Sequence, residues 1–117
     1  MTDDELKQAG ITIVHHFCDH LYAKETRIPA GKSLTQHRHA SDHLSLLGIG
    51  QVVVVADGVP TQYSAPACIT IKGGVAHSVT AITEVVWYCI HATDEKDPTI
   101  VDTALIASSA ALTRAPL

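Results

Sequence analysis

Cysteine is scarce in this chain, and positive charge is in deficit. The 117 residues include three cysteines, and none of them belongs to a C-x-x-C pair. This pattern argues against both a disulfide framework and a thiolate metal site. The chain has 8 Lys and Arg against 12 Asp and Glu, which gives a formal net charge of -4. It therefore lacks the excess of positive charge that binding to nucleic acid or to anionic membranes requires. We therefore expect a reducing, cytoplasmic environment and a small-molecule or protein partner.

Long apolar runs, repeats and linkers are also missing. No apolar stretch approaches the ~20 residues that a membrane-spanning helix needs. Residues 1–5 are acidic where a signal peptide would be basic. With no internal repeat, no low-complexity tract and no linker composition, the length predicts one unprocessed, soluble domain over residues 1–117.

The chain does contain many short runs rich in Val, Ile, Thr and Tyr, separated by Gly, Pro and Asp. Such runs at close spacing are typical of an all-β sandwich or barrel. The predicted strands are 11–17, 21–28, 33–39, 43–49, 51–56, 59–64, 68–71, 77–82 and 84–92. Asp57-Gly58 between two of these runs predicts a hairpin with a type I′ turn.

Helical signals are confined to the two ends of the chain. Thr2 with Glu5 reads as a capping box and Gly10 as a C-terminal stop, which together predict a short helix over 2–9. Asp97-Pro98 predicts a helix start, and residues 98–107 suit either a helix or a strand.

Two predicted strands carry apolar residues at both odd-numbered and even-numbered positions. Residues 52–55 and 85–90 offer apolar side chains to both faces of a sheet, so both faces should be covered. One face belongs to the interior, and the other must pack on a second sheet, a terminal segment or another subunit. Because little chain remains to cover it, we expect a homodimer.

Four of the eight histidines are placed to chelate a metal ion. His37 and His39 would share one face of a strand, His43 follows four residues later, and His77 follows two glycines at the start of another strand. Neutral imidazole is the commonest side-chain metal ligand. The pattern predicts one divalent ion, with iron, manganese, nickel, copper and zinc all open. The alternative is a set of surface or hydrogen-bonded histidines in a histidine-rich chain. This is how His15, His16 and His20 are best interpreted, whereas His91 is an exception that is taken up below.

The residues around these histidines resemble two sequence motifs of the cupin superfamily. The first is a glycine, H-x-H, a third ligand four residues on and a closing glycine, matched here by Gly31, His37, His39, His43 and Gly50. His43 stands where the family usually has glutamate. The second motif is matched by Gly58, Pro66, Gly74 and His77, with a longer Pro66 to Gly74 interval and Ala81 in place of the motif's asparagine. The resemblance covers roughly residues 20–92.

The resemblance implies a double-stranded β-helix, or jelly roll, that holds one divalent metal in its barrel. Four neutral ligands would leave the ion's charge uncancelled, whereas a glutamate would remove one unit. The most plausible function is then an oxygenase acting on a small oxygenated molecule at the metal. The alternatives are a non-catalytic, sugar-like binding cupin, or a metal-dependent lyase or isomerase that needs a base.

Several other polar residues lie outside the predicted ligand set. Trp87, Cys89 and His91 share one face of the last strand, and if that face is inward, Cys89 and His91 could line the pocket behind the ligands. Asp42 is expected to point to solvent from its turn. A solvated strand face is the simplest interpretation of Lys24, Glu25 and Arg27.

Overall fold

The computed structural model describes residues 3–36, 38 and 40–101, which form one helix and nine strands. In chain order these are α1 Asp3–Gln8, β1 Thr12–Cys18, β2 Leu21–Ile28, β3 Ser33–Gln36, β4 His43–Ile49, β5 Gln51–Ala56, β6 Val59–Ser64, β7 Ala67–Ile71, β8 His77–Ala81 and β9 Val85–Ala92. Four strands have the predicted bounds, and four others differ by one residue at one or both ends.

The strands form two antiparallel sheets that face each other across a shared core. One sheet has five strands in the order β1-β2-β9-β4-β7, and the other has four in the order β3-β8-β5-β6. The crossovers place strands that are distant in sequence side by side, as in a double-stranded β-helix. The predicted all-β jelly roll with a short N-terminal helix is confirmed.

Side-chain alternation decides which residues fill the space between the sheets. In β4, residues 43, 45 and 47 are buried while 44, 46 and 48 are exposed. Leu47, Val52, Val79 and Trp87 are fully buried in the core cluster, which draws on both sheets. The hydrophobic core therefore fills the middle of the sandwich. A functional site has to be built near the ends of the strands.

The Asp57-Gly58 hairpin has the predicted geometry. Both turn residues have positive φ, 51° for Asp57 and 77° for Gly58. Ala56 pairs directly with Val59 across the two-residue loop. These are the features of a type I′ turn, whose twist matches that of the flanking strands.

The predicted strand 33–39 was too long at its C-terminal end. β3 stops at Gln36, and Arg38 lies outside any strand. Gln36 pairs with His77, which is the first residue of β8, and residues 72–76 before it belong to no strand. The ladder ends there because no strand remains to pair with.

The helix start predicted at Asp97-Pro98 is present in the described residues, which end at Val101. Asp97 Oδ1 accepts a hydrogen bond from the Thr99 N–H at 2.9 Å, and Asp97 O accepts one from the Val101 N–H at 3.0 Å. This is the N-cap geometry that the sequence predicted. Residues 102–107 lie outside the described residues. In the described part of the chain, no helix is long and apolar enough to cross a membrane.

Candidate metal centre

Two of the four predicted ligands meet inside the sandwich. His43 begins β4 in the five-stranded sheet and is 5% exposed, while His77 begins β8 in the other sheet and is 3% exposed. Their ring centroids lie 5.9 Å apart. His37 and His39, the other two predicted ligands, lie outside the described residues.

The His43 and His77 pair fits a shared metal ion. Because imidazole nitrogen binds such ions at about 2.0–2.1 Å, two rings on one ion have centroids on the order of 5–6 Å apart. Burial lowers the pKa of His77, and a hydrogen bond with the Val75 backbone opposes this effect only in part. A lowered pKa favours neutral imidazole, which is the form that binds metal. Among the residues that the structure describes, no group of three ligands forms, so a complete centre would require His37 and His39.

His91 lies against His43. Its ring stacks on His43 with centroids 4.3 Å apart, and only 6% of the residue is exposed. Trp87, Cys89 and His91 form the inward face of β9, which is one of the two orientations that the sequence left open. Cys89 is 1% exposed and lies beside Ser45, whose hydroxyl donates to the Cys89 sulfur at 3.7 Å. His91 therefore contacts one of the predicted ligands directly, whereas Cys89 lies two residues further along the same face and contacts Ser45.

An aromatic row continues from His91 into the first hairpin. Tyr22 pairs with His91 across the strands, and their rings stack with centroids 6.3 Å apart. The Tyr22 hydroxyl shares a hydrogen bond of 2.7 Å with His15 Nδ1. Sequence reasoning passed over Tyr22, and it interpreted His15 only as a surface or hydrogen-bonded histidine. Alternation along residues 21–28 places Tyr22 on the same face as Thr26 and Ile28, but only the pairing with β9 shows that this face is the buried one.

The sequence interpretation of β2 as a solvated face needs correction. Lys24 is half-buried on the inward face, opposite Cys89. Glu25 is only 8% exposed, on the outward face, where it accepts hydrogen bonds of 3.0 Å from His16 Nε2 and from Arg27 Nε. The hydrogen bond from His16, followed by the one from Arg27, lowers the pKa of Glu25. Only Arg27 is exposed, as expected.

Asp42 is exposed as predicted, but it also joins the two loops that lead into His43 and His77. Its Oδ1 accepts a hydrogen bond of 2.8 Å from the Gly73 N–H, and this bond is the main reason that its pKa is lowered. Lys72 Nζ lies 3.7 Å from the other carboxylate oxygen. A Cβ at Gly73 would come within 3.0 Å of the Ala40 carbonyl, so the loops approach each other at backbone distance. Asp42 therefore helps to fix the separation of His43 and His77.

Replacing Asp42 with alanine is expected to weaken metal binding by roughly 10-fold, since partners that orient ligands typically contribute this much. Asp42→Asn should retain most of the affinity, because its amide oxygen can still accept from Gly73. Competition with a chromophoric chelator measures both. Asp19→Ala, in an exposed turn, is the matched control. Unchanged affinity in Asp42→Ala would show that the loops hold their spacing without this contact.

Comparisons with known proteins agree on the fold. No family model and no curated protein matches the sequence. A solved cupin superfamily protein from Desulfitobacterium hafniense matches with a TM-score of 0.64 and 14% identity, covering 72% of this chain and 78% of that one. A conserved protein of unknown function from Streptococcus pyogenes matches with a TM-score of 0.64 and 13% identity, over 76% and 79% of the two chains.

A salicylate 1,2-dioxygenase from Pseudoaminobacter salicylatoxidans also matches. The TM-score is 0.65 with 15% identity, and the match covers 75% of this chain but only 30% of the dioxygenase. The same enzyme has been solved with gentisate. At 13–15% identity, the similarity to these solved structures shows that this chain has the cupin fold.

Proposed function

We propose that this cupin-fold chain holds one divalent metal ion through His37, His39, His43 and His77 and acts as an oxygenase on a small oxygenated organic molecule. The observation that carries the proposal is the approach of His43 and His77, which begin strands of opposite sheets and bury their rings 5.9 Å apart. When bound, the ion would supply Lewis acidity and, if redox-active, the means to activate dioxygen.

His43 is the residue that sets the electrostatics of the proposed centre. A carboxylate at this position would cancel one unit of the ion's charge, whereas imidazole cancels none. The inward stacking of His91 on His43 adds a second ring and no negative charge. The wall of the site is therefore suited to stabilise an oxyanion of the substrate.

The carboxylates of the strands bear on the choice between an oxygenase and a lyase or isomerase. Glu25 is the only acidic residue in the described strands, and it faces outward between His16 and Arg27. Asp42 is held by Gly73. Neither is placed as a general base, which disfavours proton abstraction by a side-chain carboxylate. A non-catalytic binding cupin is the second candidate, because it requires no base at all.

Dioxygen uptake tests the proposed activity. The protein would be prepared with iron, manganese, nickel, copper or zinc in turn and assayed over diketones, catechols, flavonols, keto acids, salicylate and gentisate. We expect uptake with one redox metal and one substrate class, and its loss in the variant that carries alanine at both His37 and His77. Uptake with no redox metal, combined with a ligand-induced rise in melting temperature, would favour the binding protein instead.

We also propose that a second copy of this chain covers the outer face of the five-stranded sheet. Leu44, Leu46 and Ile49 project from this face and are 46%, 36% and 59% exposed. Tyr88 and Ile90 of the adjacent β9 are half-buried beside them. A contiguous apolar stripe of this kind is typical of a subunit interface.

Glutamate at both Leu44 and Leu46 is expected to convert a dimer to a monomer, because paired copies would place four like charges in an apolar contact. Sedimentation velocity measures the mass. Val59→Glu, at a 62% exposed position in the other sheet, is the matched control and should remain dimeric. A monomeric wild type at high concentration would refute the interface.

The location that best suits the chain is the cytoplasm. Cys18, Cys68 and Cys89 are all free thiols, and two of them are exposed. Exposed free thiols persist in reducing compartments. We propose this location on that ground.

A further inference from the structure

A continuous row of aromatic rings crosses the inward face of the five-stranded sheet. Phe17 of β1 pairs with Tyr22 of β2, and Tyr22 pairs with His91 of β9. His91 in turn stacks on His43 of β4. In that order along the row, the centroids of neighbouring rings lie 5.1, 6.3 and 4.3 Å apart. These are contact distances for stacked rings. The row therefore connects the proposed metal centre with the half-buried ring of Phe17.

Tyr22 is the member of this row that is built to give up an electron. Benzene and imidazole rings resist oxidation by one electron, whereas a phenol gives a neutral radical once its proton leaves. Tyr22 is 1% exposed, so a charged product would be costly there and the proton needs a base at hand. The Tyr22 hydroxyl shares a hydrogen bond of 2.7 Å with His15 Nδ1, which is within the range for direct proton transfer. The phenol can therefore lose an electron to the row and a proton to the His15 imidazole.

The other oxidisable aromatic side chains lack this arrangement. Trp87 is fully buried, but among the residues that the structure describes its indole Nε1 has no hydrogen-bond partner to receive a proton. Tyr88 lies on the outward face of β9, beside Leu46. Tyr63 belongs to β6, in the other sheet. Tyr22 is therefore the aromatic residue whose oxidation the fold supports best.

We propose that Tyr22 is a one-electron donor to the metal centre, with His15 as its proton acceptor and hydrogen peroxide as the oxidant. Reduction of one hydrogen peroxide to two waters takes two protons from the solvent and two electrons, one from a ferrous ion at the proposed ligands and one from Tyr22. The Tyr22 O–H bond breaks, its proton forms an N–H bond at His15 Nδ1, and a neutral phenoxyl radical remains. Ascorbate, losing one electron, then restores the phenol as His15 returns the proton. The inference rests on the proposed function, since it adds a residue to the same centre.

A metal-free experiment tests the pair of Tyr22 and His15 by itself. In the full-length protein with Tyr63→Phe and Tyr88→Phe, Tyr22 is the only tyrosine left. Flash-generated ruthenium(III) tris-bipyridine supplies the one-electron oxidant, and optical absorption distinguishes a tyrosyl from a tryptophanyl radical. We expect a tyrosyl radical that forms roughly 100-fold more slowly in His15→Asn, because an amide can accept the hydrogen bond but cannot take the proton. His16→Asn, on the outward face, is the matched control.

Hydrogen peroxide added to the iron-loaded protein tests the ring row. We expect freeze-quenched samples to show a tyrosyl radical by electron paramagnetic resonance. Tyr22→Phe should abolish this signal, whereas Tyr63→Phe and Tyr88→Phe should leave it unchanged. His91→Leu removes the ring next to Tyr22 and should lower the yield of radical with peroxide. The same variant should leave the ruthenium result unchanged, because the hydrogen bond of Tyr22 is intact.

The two experiments separate this inference from the proposed function. A radical that settles on Trp87 in the metal-free protein overturns the pair even if the variants fail to fold, as does an unchanged rate in a folded His15→Asn. A radical on Tyr22 with ruthenium but not with peroxide, in protein that holds iron, overturns electron donation and leaves the metal centre standing. If the chain holds no iron, the proposed function fails, whereas a radical on Tyr22 that depends on His15 still supports the pair.

Discussion

Alanine at His43 or at His77 is expected to abolish stoichiometric metal binding. Each substitution removes one neutral ligand from the proposed set of four and leaves the other buried ring, 5.9 Å away, without its counterpart on the ion. Because partners that only orient a ligand contribute 10-fold to 100-fold to affinity, we expect the loss of a ligand to exceed about 100-fold. Elemental analysis after gel filtration, with chelator competition for the affinity, measures the effect.

Two control variants sharpen this prediction. His91→Ala removes the ring that stacks on His43 and should retain metal with reduced affinity, while His16→Ala, on the outward face, should match the wild type. His43→Glu is expected to keep the metal and to shift preference toward manganese, since carboxylate oxygen suits harder ions. Stoichiometric metal in a variant with alanine at both His37 and His77 would show that the ion is bound elsewhere.

Gly50→Ala is expected to destabilise the fold by about 3 kcal/mol or more. Gly50 has a φ of +96°, where an L side chain is strained, and a Cβ there would lie 2.3 Å from the Glu84 carbonyl oxygen. That carbonyl belongs to the backbone just before β9, so it cannot rotate away. The substitution would therefore displace the strand that carries Trp87, Cys89 and His91.

Gly31→Ala is a matched control for Gly50→Ala. Its φ of +80° imposes a similar backbone strain, but a Cβ at this position would meet nothing within 4 Å. We expect a cost of about 1 kcal/mol from the left-handed conformation alone. Urea denaturation measures the free energy of unfolding for both variants. Equal losses would mean that the Glu84 backbone moves aside and that close packing is not the reason for glycine at position 50.

These two glycines also show what a sequence motif conveys. Both frame the histidine motif, and the pattern alone gives them equal weight. The structure separates them: Gly31 needs only its backbone conformation, whereas Gly50 also needs the absence of a side chain. The difference arises from the chain around Thr83 and Glu84, more than thirty residues away, which no local pattern includes.

The fold could be predicted because its signals are local. Alternating apolar residues define the strands, and Asp57-Gly58 with positive φ at both residues defines a hairpin. The approach of His43 and His77 was predicted from motif spacing, and the structure places both rings in the interior. That His37, His39, His43 and His77 bind a metal ion together stays a prediction.

The positions of Lys24 and Asp42 could not be predicted, for two different reasons. Residues 21–28 carry both polar and apolar side chains at odd-numbered and at even-numbered positions. Alternation alone therefore does not reveal which face of the strand turns inward. Pairing with β9 decides it, by placing Lys24 opposite Cys89 and Thr26 opposite Trp87. Asp42 contacts Gly73 across 31 residues of sequence, and such a contact exists only once the two loops have been brought together.

The sequence by itself determined the strands, the hairpin and the histidines that point to metal, because period-two burial, turn chemistry and ligand spacing are properties of short segments. The tertiary structure alone decided that His91 stacks on His43, that Glu25 turns outward to His16 and Arg27, and that Lys24 turns inward opposite Cys89. The physical reason is strand order: β9 lies between β2 and β4, and hydrogen-bonded pairing between distant segments sets which side chains share a face.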